Sequence, residues 1–504
     1  MTRPKIIRGG RLIDLAAGTS DPADILIEGD SIAAIGAPGM DAPDGAAVID
    51  ASRRMLHPGL INAHTHGHGV LSKGMGDLWT LELLLNAGPW IGGGRLLEDK
   101  YLGTYVGAVE MLMKGTTAAY DLTAEFPLPT MDGMDACAQA YADAGLRAVV
   151  APMVAEYSFY EAIPGLMEAV PEAFRAGVAR LRPGPAEPCL GVLRDLAAGW
   201  SHDTDWVRLA MAPTIPHHCS DDFMLGCKRI ADDFGLGMHS HVQESKVQVI
   251  AAMQTYGRTQ TAHLDRLGLL GPDFVVAHGV WLDDDDMRRL ADHGASIAHN
   301  PGSNMRLGSG LADARRMLEL GVNLGIGTDG ANCSDNLNMY EAMRLASLVS
   351  KSRGPDTDRW LTTGQVAHAA TIGSARALGF DRIGRIAEGF KADIVFLDLD
   401  HPNWMPLNHP TNQLVHTEDA TAVHSVMTGG VMRVENYKPV GIDLARLADK
   451  VEAARSRLHD TTRDAHAMSE ALARVVNMHC PGLAHQPYHI HRYGSASATD
   501  PASG

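Results

Sequence analysis

Eight short apolar runs fill the middle of this 504-residue chain, most of them followed by a loop and a helix-like stretch. They read GLINAHTH, TTAAYDLT, RAVVAPMV, VRLAMAPT, LGMHSHV, FVVAH, ASIAHN and NLGIGTD. Short apolar strands alternating with helices are what a parallel sheet covered by helices requires. Eight such units predict an α/β chain built on a distorted (β/α)8 TIM barrel. An open doubly wound sheet is the rival arrangement, and the lack of G-x-G-x-x-G after the first run weakens it.

The two flanks read differently. KIIRGGRLIDL, ADILIEGDSIAAIG and AAVIDASRRMLHPG alternate β-like runs with turns, and EGD is a hairpin signal. The pattern returns in IGRIAEGFKADIVFLDLD and AVHSVMTGGVMRVEN. The expectation is a composite β-sandwich from residues 1–58 and 384–437, a barrel over 59–383, and a helical C-terminal extension over 438–504. In that extension Leu444, Leu447, Val451, Ala454 and Leu458 share one face, and Met468, Leu472 and Val475 another. The last residues, YGSASATDPASG, read as a flexible tail. A net charge of −17 argues against nucleic acid or anionic membrane as partner. No apolar run reaches the roughly 18 residues of a spanning helix, and MTRPKIIRGG lacks a signal-peptide core. Six scattered cysteines read as free thiols. A cytoplasmic homo-oligomer acting on a small molecule is expected, with the helical extension as an interface.

Polar residues end several of the apolar runs. His64 and His66 end the first, His239 and His241 the fifth with Glu244 beyond, His278 the sixth, His299 and Asn300 the seventh, and Asp329 the eighth. In a barrel these positions gather at one mouth. Residues two apart on a strand share a face, so His64 and His66 point there together. Two histidines from strand one, one from strand five and Asp329 form a His3Asp set suited to a divalent metal. Such an ion makes a water nucleophilic near neutral pH. Glu244 and His278 are then placed to move protons.

HPGLINAHTH, HSHVQES, VVAHGVWL, AHNPGSN and GIGTDGANCSDNLNMYEAMRLA, in that order, resemble the amidohydrolase superfamily. The likeness spans roughly residues 1–435. It is to the branch of aminohydrolases and chlorohydrolases, which holds cytosine, guanine and S-adenosylhomocysteine deaminases, triazine-degrading enzymes and some phenylurea hydrolases. The resemblance implies metal ligation by His64, His66, His241 and Asp329, with His239 beside them. It implies catalysis by Glu244, passing a proton to the leaving nitrogen, by His278, orienting water or polarising substrate, and by Asp329. Binuclear members carry a carbamylated lysine on strand four. This chain has no lysine between Lys114 and Lys228, so one divalent ion per chain is expected. Zinc is the first choice, and Fe, Mn or Co suit the same ligands.

The resemblance implies deamination of a nitrogen-rich heterocycle. The alternative is hydrolysis of an amide, urea, carbamate or C–Cl bond in a small xenobiotic-like molecule. Many deaminases of the branch carry a histidine where Thr214 stands in APTIPHHCS, with His217 and His218 following. Candidate substrate contacts are Trp79, Thr214, His217, Ser303, Asn304 and Cys333. Asp77, Trp79 and Trp90 fall in a first loop expected to cap the site, and Trp281 follows His278 closely. Gly67 and Gly69 flank His68, which moves it to the loop, and His57 before the strand reads as structural. The tail histidines, His479, His485, His489 and His491, suggest a segment covering the site of this or a neighbouring subunit.

Overall fold

The computed structural model describes residues 3–494. Most of the expected flexible tail, residues 495–504, lies outside the described residues. Five strands come first: β1 (Lys5–Asp14), β2 (Thr19–Glu28), β3 (Ser31–Gly36), β4 (Ala47–Asp50) and β5 (Arg54–Pro58). The barrel strands follow: β6 (Leu60–Thr65), β7 (Thr116–Ala124), β8 (Arg147–Val154), β9 (Val207–Pro213), β10 (Gly237–Val242), β11 (Phe274–His278), β12 (Ser296–His299) and β13 (Asn323–Ile326). The last four are β14 (Ile394–Asp398), β15 (Val423–Thr428), β16 (Val431–Glu435) and β17 (Lys438–Pro439). Each predicted apolar run holds one barrel strand, with β7 running one residue further, to Ala124. The flanking segments meet where β14 pairs antiparallel with β5, and the composite unit is one mixed sheet running β17-β16-β15-β14-β5-β1-β2-β3, with β4 beside β1. EGD turns the chain from β2 into β3, with Gly29 at φ +63°.

β6 to β13 form a sheet in chain order, all of its pairings parallel. Its strands are buried on both faces, which explains their near-continuous apolar character. Ile61, Ala118, Tyr120, Leu122, Val149 and Ala151 fill the interior, and Leu378, Phe380 and Ile383 pack onto the same cluster. The ring is joined between β6 and the residues after β13 by the Asn62 side chain and by main chain. Asn62 donates to Thr328 Oγ1 (2.7 Å) and accepts from Thr328 N (3.0 Å), and Asp329 N donates to His64 O (2.9 Å). Gly327 permits this approach. A Cβ there would lie 2.3 Å from Asn300 Oδ1 and 2.8 Å from both N and O of His64.

Two long helices, Leu444–Thr461 and Arg463–Ala484, form the extension. The second packs on the helix Leu81–Gly92, and Asn86 Nδ2 donates to Ser469 O at 3.0 Å. Its buried stripe is Leu472, Val476, Cys480 and Leu483, one step away from the expected Met468, Leu472 and Val475. In the first helix only Ala454 of the expected face is buried. The chain then crosses the loops after β11 and β12. Arg492 donates to Val280 O (3.1 Å) and Leu282 O (2.7 Å), its own carbonyl accepts from Leu311 N (2.7 Å), and Tyr488 and Tyr493 pack edgewise on the buried Trp281. None of the four tail histidines lines the cavity described below. The described part of the tail therefore supports the loops from outside and does not cover the site of its own chain. No described helix is long and apolar enough to cross a membrane.

Candidate active site

The C-terminal ends of the barrel strands converge on a cavity of about 560 Å³. His66, His241, Glu244, His278 and Asp329 line one end of it, and His64 lies behind them, fully buried. The ladder between β6 and β7 is irregular between Asn62 and Thr65, where the strand changes from Ile61 and Ala63, packed in the interior, to the two histidines. His278 (φ +71°) and Asp329 (φ +64°) adopt left-handed backbone conformations that non-glycine residues seldom take. Such strain gathers where surrounding structure over-determines a residue's position.

Distances at this end are short. His66 Nε2 is 3.2 Å and His64 Nε2 3.6 Å from Asp329 Oδ1. His278 Nε2 lies 3.8 Å from Asp329 Oδ2 and 3.7 Å from Glu244 Oε2. His241 Nε2 lies 3.3 Å from His66 Nε2. The other ring nitrogens of that last pair face carbonyls: His66 Nδ1 is 2.6 Å from Leu122 O, and His241 Nδ1 is 2.7 Å from Thr214 O. A carbonyl only accepts, so both Nδ1 atoms carry the proton, and in the neutral rings both Nε2 atoms present lone pairs to each other. Two facing lone pairs with an ionised carboxylate beside them suit a cation. His64 adds two buried ring nitrogens without a partner. The residues present therefore fit a divalent metal, and His64, His66 and Asp329 form one of the ligand-competent groups.

The electrostatics agree with that arrangement. Burial pushes His64 down to about 3 and also lowers His241 and His278, so these rings are neutral at physiological pH. Burial opposes ionisation of Asp329, but the imidazoles of His64 and His66 beside it hold its carboxyl well below the usual range. Glu244 shifts the opposite way. Burial, with Asp329 and Glu82 nearby, raises it well above an ordinary glutamate, which favours its protonated form. His278 Nδ1 donates to Asn304 Oδ1 at 2.9 Å, which leaves Nε2 as an acceptor toward Glu244 and Asp329.

Several expected substrate contacts lie elsewhere. Trp79 does not line the cavity. It packs edgewise on Trp90, whose ring stacks on His466 of the C-terminal helix at 3.8 Å, so these tryptophans fasten the first loop to the extension. Trp281 is fully buried beneath the tail. His217 turns from the cavity, its Nδ1 bonded to Gln260 Nε2 at 2.8 Å, and His218 lines it instead. Ser303 is fully buried against Asn300 O and does not line the cavity, and Asn304 acts on His278. Thr214 and Cys333 do line it, although the Cys333 thiol is held 3.2 Å from Gly330 O. His239 joins none of the ligand-competent groups among the described residues, and packs on Tyr120 with ring centroids 4.5 Å apart. His68 lines the cavity and accepts from Ala124 N at 3.2 Å. His57 bonds Tyr340 Oη at 2.8 Å, apart from this cavity.

Two features escaped sequence reasoning. One is the apolar wall supplied by Leu81, Leu84 and Leu85, whose signal was the helical spacing of leucines in LELLLNAG. The other is Asp121 on β7, which accepts from Gly67 N (2.8 Å) and Tyr141 Oη (2.9 Å) and so fixes the turn after the first histidine pair. A buried acid in a strand has no local signal that names its partners.

Comparison with known proteins fits this architecture. The amidohydrolase family model matches residues 55–433. The chain is 32% identical over 457 residues to a 5'-deoxyadenosine deaminase of Methanothermobacter thermautotrophicus, covering 90% of this chain and 98% of that protein. It is 32% identical over 409 residues to a 5-methylthioadenosine/S-adenosylhomocysteine deaminase of Thermococcus onnurineus, covering 81% and 88%. A zinc-bound adenosine deaminase from Xanthomonas campestris superposes with a TM-score of 0.79 at 27% identity, covering 90% and 98%. A zinc complex of atrazine chlorohydrolase from Arthrobacter aurescens gives 0.79 at 26%, covering 89% and 99%. With its barrel, its histidine–aspartate cluster and a family match that spans most of its length, this chain belongs to the amidohydrolase family.

Proposed function

We propose that this chain is a mononuclear zinc-dependent aminohydrolase that releases ammonia from an amino-substituted nitrogen heterocycle. The observation that carries the reading is the pair of Nε2 atoms 3.3 Å apart, next to Asp329, with Glu244 beside His278 on the same cavity. His64, His66, His241 and Asp329 would hold the ion. When bound, it supplies Lewis-acid activation of water near neutral pH. The absence of lysine on β9 favours one ion per chain.

The proton traffic follows from the neighbouring side chains. Asp329 is ionised, and His278 Nε2 is an acceptor because Nδ1–H is committed to Asn304. Both are placed to take the proton from the attacking water. Glu244, whose protonated form burial favours, faces the same space and hands its proton to the departing nitrogen, turning a poor amide-like leaving group into ammonia. Burial of all three excludes bulk water from the transfer. The same reading takes the enzyme as a cytoplasmic homo-oligomer. Six buried free thiols and an extension whose first helix leaves Leu444 exposed and Leu447, Val451 and Leu458 half-buried support it.

Hydrolysis of an amide, urea, carbamate or C–Cl bond is the second reading, favoured by the likeness to atrazine chlorohydrolase. Ammonia release across a panel of amino-purines, amino-pyrimidines and amino-triazines tests the first. Amine or chloride release with no ammonia from any member would refute it. Glu244→Gln serves as the control: it is expected to retain its metal and lose turnover by more than about a hundredfold.

A further inference from the structure

The cavity is far longer than its reactive end. Beyond the histidines and acids, its wall is built by Leu84, Leu85, Phe126, Leu128, Met153 and Phe159, drawn from the loop-one helix and from the ends of β7 and β8. Phe126 stands at the rim with 59% of its surface exposed. Glu125 is the one carboxylate lining the cavity away from the reactive end, and it is already engaged. Lys100 pairs with its Oε1, Thr130 Oγ1 donates to the same oxygen at 2.9 Å, and Thr130 N donates to Oε2 at 2.9 Å. Tyr160 Oη is committed to Asn86 Oδ1 at 2.6 Å, and Ser158 Oγ to Glu161 Oε2 at 2.8 Å. His218 lines the cavity with a buried Nε2 that has no partner. Arg95, whose buried Nε is likewise without a partner, and His68, Tyr157, Thr214 and Asn332 also line the cavity, and none of them adds a carboxylate.

We infer that the substrate's amino ring carries an apolar alkyl or aryl arm in this outer cavity, where a nucleoside would place a hydroxylated sugar. This rests on the aminohydrolase reading and narrows its substrate class. A sugar brings adjacent hydroxyl donors that need paired acceptors, and the one carboxylate able to supply them is consumed by Lys100 and Thr130. Each hydroxyl buried without a partner costs roughly tenfold in affinity. An alkyl or aryl arm has no such requirement and gains by covering the leucine and phenylalanine surface. The chain thus departs in specificity from relatives that act on 5'-deoxyadenosine or methylthioadenosine.

The test is equilibrium binding by calorimetry to metal-loaded Glu244→Gln, where turnover does not interfere. Adenine bearing a 9-benzyl or 9-butyl arm is compared with adenosine and 5'-deoxyadenosine. The apolar arms are expected to bind at least tenfold more tightly. Leu84→Asn, at a half-buried wall position, and Phe126→Ala, at the exposed rim, are each expected to shrink that preference while leaving adenine itself unaffected. Equal or tighter binding of the ribosides overturns the inference and leaves the aminohydrolase reading intact. Tight binding of benzyladenine without ammonia release by the native enzyme refutes deamination and upholds the apolar arm. If no adenine binds, benzylurea is titrated against ribosylurea, the same contrast on the head group of the second reading. A preference for the benzyl arm then upholds the inference, and no preference overturns it.

Discussion

Replacing Arg492 by alanine tests whether the tail holds the catalytic turn. Arg492 is 8% exposed and binds the carbonyls of Val280 and Leu282, which follow His278 and Gly279 in a turn with two successive positive φ angles. A hydrogen bond from a charged donor contributes roughly 1.5–3 kcal/mol. Two are lost, but water reaches the carbonyls once the tail lifts, so the net local cost is about 3 kcal/mol. That corresponds to a roughly hundredfold faster amide exchange in this segment. Hydrogen–deuterium exchange should show the acceleration at residues 280–283 and at Leu311, whose N–H bonds the Arg492 carbonyl. His278 would wander by a fraction of an ångström, lowering kcat about tenfold with KM and metal content unchanged. Arg492→Lys, keeping charge but not the two-pronged geometry, should fall between. Native exchange rates and native kcat in Arg492→Ala would refute the argument.

Asn304→Ala removes the acceptor that fixes the His278 tautomer. It should lower kcat about tenfold, shift the pH profile and spare metal binding as measured by elemental analysis. Gly327→Ala forces a Cβ within 2.3 Å of Asn300 Oδ1 and 2.8 Å of the His64 backbone. It should destabilise the fold by about 3 kcal/mol, read as a lowered denaturant midpoint, together with weakened metal retention. Stripping the metal with a chelator should lower the melting temperature, because the ion stabilises the native state by about 2.7 kcal/mol at a hundredfold excess over its Kd. Readdition of zinc should restore it.

The barrel was legible because short apolar runs and their polar terminators are local properties of the sequence. His64, His66, His241, His278 and Asp329 lie at strand ends, and barrel geometry alone carries strand ends to one mouth. Loop side chains obey no such rule. His217 and His218 are adjacent, and the direction of His217 is set by Gln260, 43 residues away. Trp79 faces Trp90 because the C-terminal helix supplies His466 as a stacking surface, a contact no local pattern encodes. The expected face of the helix Leu444–Thr461 is only partly covered, with Leu447, Val451 and Leu458 half-buried and Leu444 exposed, for the same reason: amphipathic spacing states that a partner would fit, not that one is present.

The seam of the barrel also orders events during synthesis. Asn62 and Thr328 are 266 positions apart, so the first strand waits for almost the entire barrel to be translated before its neighbour exists. In the proposed site the two strands that meet there contribute His64 and His66 on one side and Asp329 on the other. A nascent or truncated chain therefore lacks a full coordination set however well its early strands have formed. If that set holds the ion, metal capture would be a checkpoint on completeness: a polypeptide whose first and last barrel strands had not met would not acquire it.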